Sequence, residues 1–163
     1  MRIPRHLGLV LGGLLVIGAP VLTGCSEQKM SQEMKEQETE MTEESRRWAD
    51  DVTQWSGMHQ EMHAWHASHP AHPADTTRIR EHEEKLTTHE QDVANFSRDL
   101  EEHRARLQEE SSLPEKQRIT AHAGLWANHM KLKAAYELTA RAHREIGEQH
   151  QEIVASHEAA PAK

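Results

Sequence analysis

Between residues 76 and 158 the chain carries a seven-residue pattern in which apolar residues and histidines alternate at steps of three and four. In one segment Ile79, Leu86, Val93, Leu100 and Leu107 alternate with His82, His89, Phe96 and His103. In the next, Leu125, Leu132, Thr139, Ile146 and Ile153 alternate with His122, His129, Tyr136, His143, His150 and His157. A seven-residue step returns a side chain to nearly the same helix face, so each series is one column of a heptad seam. All eight histidines of this region occupy seam positions, so histidine is used here as a core residue.

A third column, Met34, Met41, Trp48, Trp55, Met62 and His69, predicts a first helix. Its companion column, read as Glu44, Asp51, Met58 and Trp65, is polar toward the N-terminus, so the helix, expected to begin after Met30 and run to about Ser68, is strong over about 48–66 and counts toward the bundle over about 46–68. Two prolines in His69-Pro70-Ala71-His72-Pro73 break the pattern, because each disfavours helix in the residue before it. Asp75 suits the N-cap of a second helix, about 76–110, and Ser112 with Glu115 fits a capping box for a third, about 113–158. Residues 159–163 are expected to fray. The pattern predicts an all-α fold, an antiparallel helical hairpin or three-helix coiled-coil-like bundle.

The short turns suggest a register. A second turn centred near residues 112 and 113 sets His103 opposite His122, Phe96 opposite His129, His89 opposite Tyr136 and His82 opposite His143. The alternative, one heptad away, calls for a longer loop. A first turn centred near residue 72 sets Met62 by His82, Trp55 by His89, Trp48 by Phe96 and Met41 by His103. Two of the four resulting layers, Met62/His82/His143 and Met41/His103/His122, combine thioether with imidazole, a donor set suited to Cu(I), whereas imidazole alone serves Zn(II), Ni(II) or Cu(II). A second candidate metal site is His59, His63 and His66, near His69 and His72, where Asp75, His150 and His157 should arrive from the other helices, with His59 and His63 four residues apart on one helix face. Metal binding, copper or zinc before nickel, competes with two other readings. The imidazoles can simply pair in the seam, or they can act as a pH sensor. Haem is disfavoured, since no C-x-x-C-H motif is present.

Composition narrows the remaining classes. The 163-residue chain has a net charge of -8 and 14 histidines, so protonating those histidines would reverse its sign. With no basic patch and no aromatic stacking set, nucleic acid is not an expected partner. No Gly-rich phosphate loop or nucleophile constellation stands out, so no enzymatic activity is expected. Self-association is open, because the second helix carries charges on both sides of its seam.

The N-terminus adds a location. Arg2 and Arg5 precede an apolar run, Leu7 to Leu22, which closes on Leu22-Thr23-Gly24-Cys25. This tetrapeptide resembles the lipobox of bacterial lipoproteins, and the resemblance extends no further than the signal segment. It implies a signal peptide over 1–24, cleavage before Cys25, a lipid on its sulfur and a membrane-anchored mature protein. An acidic tether over 25–45 would then lead to a helical domain over 46–158. Ser26 after the cysteine suggests, in a Gram-negative host, the periplasmic face of the outer membrane. Cys25 is the only cysteine, so no intrachain disulfide supports the fold.

Overall fold

The computed structural model describes residues 23–69 and 75–159, with side chains from residue 29 onward. Residues 1–22 of the expected signal peptide, His72 and the last residues of the tail lie outside the described residues, as does the Cys25 side chain. Three α-helices make up the fold: α1 (Thr23–Ser68), α2 (Thr76–Ser111) and α3 (Glu115–Ala159). The fold is the all-α three-helix bundle that the heptads predict. Among the described residues no helix is long and apolar enough to cross a membrane.

The heptad columns account for this packing. Each helix turns one apolar and one mixed column inward, and the apolar columns meet in dry layers. One core cluster holds Trp48, Phe96, Leu100 and Leu132, and a second holds Met62, Leu86 and Ile146. Fully burying side chains of this size stabilises by roughly 1.5–3 kcal/mol each. Helix α1 begins ahead of the expected start after Met30, and it packs into the bundle well before residue 46. The stretch read as an acidic tether is helical, and Met34, Met41 and Ser45 are buried in it. Its acidic residues are not a solvated leash: Glu40 and Glu44 both accept hydrogen bonds from Lys133 of α3, and Glu38 faces Arg118.

Both expected registers need correction. Across α2 and α3, His103 meets His129, Phe96 meets Tyr136, His89 meets His143 and His82 meets His150, one heptad from the expected pairing. No longer loop is required. Ser112 keeps right-handed helical angles, and its N–H and that of Leu113 still bond the carbonyls of Glu109 and Glu110. The chain therefore climbs past the end of α2 before reversing, and the first turns of α3 overhang it.

Across α1 and α2 the correction is finer. Trp48 does contact Phe96, and Trp55 does contact His89. Met62, however, packs in a layer with Leu86, while His66 meets His82. The seam partner of the Met/Trp column is Ser45, Val52, His59 and His66, not Glu44, Asp51, Met58 and Trp65. The latter column flanks the core toward α3, which runs parallel to α1. There Gln37 meets His122, Glu44 meets His129 and Asp51 meets Tyr136, each pair separated by 85 residues.

Two capping expectations also change. The Ser112 hydroxyl donates to the Glu109 carbonyl and so closes α2 rather than opening α3. The Asp75 side chain makes no cap bond. It accepts instead from the Ser156 hydroxyl of α3, 3.1 Å away.

Candidate metal centres

The mixed columns of the three helices meet in layers, and three of these bring metal-binding side chains together. His59, His89 and His143 form one, His66, His82 and His150 a second, and Glu38, Glu110 and His122 a third, with ligand atoms within 4.8 Å of one another in each. The dry Met62/Leu86/Ile146 layer lies between the first two.

In the first layer each helix contributes one buried imidazole. Ring centroids are 5.0 Å apart for His59 and His89, 5.4 Å for His59 and His143, and 5.5 Å for His89 and His143. Nε2 of His59, both nitrogens of His89 and Nδ1 of His143 are buried with no hydrogen-bond partner among the described residues. Leaving such a group unpaired costs roughly 1–3 kcal/mol, so this layer carries a debt that a metal ion would settle. Burial, reinforced by the neighbouring imidazoles, pushes His89 and His143 down to about 4, and burial lowers His59 as well. All three are therefore neutral at pH 7, the form in which imidazole binds a metal.

The second layer has similar geometry with a different surrounding. Ring centroids are 5.1 Å apart for His66 with both His82 and His150, and 5.4 Å for His82 and His150. Nε2 of His66, both nitrogens of His82 and Nδ1 of His150 lack partners among the described residues; the Gln149 amide beside His82 is poorly placed for a hydrogen bond of ordinary geometry. Burial, then His66 and His150, pushes His82 down to about 4. Nδ1–H of His66 donates to Glu83.

The third layer is already satisfied at its imidazole. His122 is held through Nδ1 to Glu110, at 2.9 Å, and through Nε2 to Gln37, at 2.8 Å, so no nitrogen is left for an ion. A further pair, His103 and His129, is hydrogen-bonded except at Nδ1 of His103, which is buried without a partner among the described residues. Nε2–H of His129 donates to Glu44, and its ring stacks on both Trp48 and Trp126.

These positions redistribute the residues proposed from sequence. Met62, His82 and His143 do not form a layer: Met62 belongs to the dry layer, and the two histidines belong to different clusters. Of Met41, His103 and His122, the two histidines take different partners. Met41 is fully buried, His103 pairs with His129 and His122 pairs with Glu110. His59 and His63 do not grip a common ion, because His59 faces the core while His63 faces Glu83 and Glu90. His66 joins His82 and His150, while His69 stacks on Trp65. His89 was not singled out as a ligand by sequence reasoning, and His150 was expected only to arrive near the cluster at the first turn. The heptad spacing held the signal, since both lie on the histidine columns, but the register hid it.

Comparison with protein-family models, curated proteins and solved structures finds no match.

Proposed function

We propose that this chain is an exported, lipid-anchored envelope protein that binds a transition metal, copper or zinc, in its histidine seam. One observation carries the reading: His59, His89 and His143 converge from three helices with buried, unpartnered nitrogens. Three imidazoles suit either ion and leave one position open for water or an exogenous ligand. The thioether preference for Cu(I) drops out, since Met62 stands in the adjacent dry layer. The anchor rests on Leu22-Thr23-Gly24-Cys25 and its lipobox resemblance.

The test is a titration of the detergent-solubilised full chain with Cu(I) and Zn(II), read by calorimetry and melting. An ion selective for the folded state stabilises it by about 2.7 kcal/mol at a hundredfold excess over Kd. Binding weaker than about micromolar, with no rise in Tm, refutes the reading. A second reading, a structural spacer with no metal, draws on the His103/His129 pair, whose hydrogen bonds and stacking need no ion. It predicts an unchanged Tm in the same titration.

A further inference from the structure

Glu83 stands behind the second histidine layer and is held from both sides. One carboxylate oxygen accepts from Nδ1–H of His66, and the other contacts Nδ1 of His63 at 3.0 Å. The opposite nitrogen of His63 meets Glu90, again at 3.0 Å. A neutral imidazole that donates through Nδ1 presents a lone pair at Nε2. In His66 that Nε2 is the buried atom with no partner, on the ring that meets His82 and His150. A carboxylate that orients a ligand histidine in this way fixes its tautomer and raises its basicity. Among the described residues the first layer shows no such carboxylate hydrogen bond on its three rings. A buried cation is costly without compensating charge, and of the two three-histidine layers the second is the one with an anion bonded directly to a ring among the described residues.

We propose that His66, His82 and His150 form a second metal site, separate from the first, that takes a divalent cation of the Zn(II) class with Glu83 as its positioning residue. The proposal rests on the same premise as the proposed function, that converging buried imidazoles in this seam are ligands. Its two halves are separable, because the Met62/Leu86/Ile146 layer keeps the two sites from sharing a ligand.

The experiment counts Zn(II) bound per detergent-solubilised full chain, using His150→Gln, Glu83→Gln and His59→Gln variants whose helicity matches the unsubstituted protein. Co(II) absorption serves as the spectroscopic probe. The unsubstituted chain is expected to bind two ions, and His150→Gln and His59→Gln one each. Glu83→Gln should weaken one of the two sites by about 10- to 100-fold and shift the Co(II) bands of that site alone. Nitrogen-15 spectra of the metal-free chain should place the His66 proton on Nδ1, a readout that does not depend on ion binding. One ion, lost in His59→Gln and untouched by His150→Gln and Glu83→Gln, overturns the second site and leaves the first standing. One ion lost in His150→Gln alone supports the second site and overturns the first. No ion in the unsubstituted chain overturns both.

Discussion

Nδ1 of His129 lies 3.2 Å from Nε2 of His103, joining α3 to α2 in a fully buried pair. Glu44 accepts from the other nitrogen of His129, which leaves Nδ1 as the acceptor for Nε2–H of His103. The chain of bonds runs on to Lys133 through Glu44. Burial acts against the Glu44 carboxylate, but the hydrogen bonds from Lys133 and His129 outweigh it and lower its pKa.

Breaking this pair from one side should cost more than its net worth. His103→Leu leaves Nδ1 of His129 buried without a donor, an effect of about 1–3 kcal/mol. In urea melts of His103→Leu, His129→Leu and the double variant, the double should lose less than the sum of the singles. Additive losses would show that the two rings are not coupled.

Acid should unfold the metal-free protein in a defined window. His82, His89, His103 and His143 are held near 4 against an ordinary value of 6.5, chiefly by burial. For His103 the neighbouring His129 and Arg106 add to the effect. The unfolded chain therefore binds more protons between these values, and stability falls as pH drops from 6.5 toward 4. With chelator present, Tm at pH 5 should lie well below Tm at pH 7.5, and coincident melts would contradict the burial of these rings.

Tyr136 is the only tyrosine, so alkaline absorbance reads it alone. Burial, then its hydrogen bond to Asp51 at 2.6 Å, pushes it up to about 12. Asp51→Asn should bring the midpoint part of the way back toward 10, because burial remains. A wild-type midpoint near 10 would place the ring in solvent.

Met62 separates the two histidine layers without belonging to either. Met62→Leu should leave metal affinity unchanged, and Met62→Ala should cost about 2–5 kcal/mol in chemical denaturation. A loss of Cu(I) affinity in Met62→Leu would restore the thioether as a ligand.

The lipid anchor is tested most directly by Cys25→Ser. Expressed in a bacterium, the unsubstituted chain should incorporate radiolabelled palmitate and sediment with membranes, and the variant should do neither. A variant that still sediments would point to an uncleaved N-terminal anchor.

Heptad spacing and proline chemistry are local, and they determined the three helices, the histidine columns and the end of α1 at Ser68. They also determined that His82, His89, His103, His122, His129 and His143 face inward, since a seven-residue step preserves the face. Which histidines meet was a different matter. Shifting α3 by seven residues along α2 keeps every column facing its partner column, so periodicity is blind to the choice. The chain's path through Ser112 and Leu113 decided it. In α1 the Met/Trp column had two neighbouring columns, one ending in Met58 and Trp65 and the other in His59 and His66. Only packing against two helices at once turned the second inward and left Glu44 and Asp51 to bond His129 and Tyr136. That choice replaced the expected Met/His/His layers with His59/His89/His143 and His66/His82/His150, and with them the donor set from which any metal chemistry must be argued.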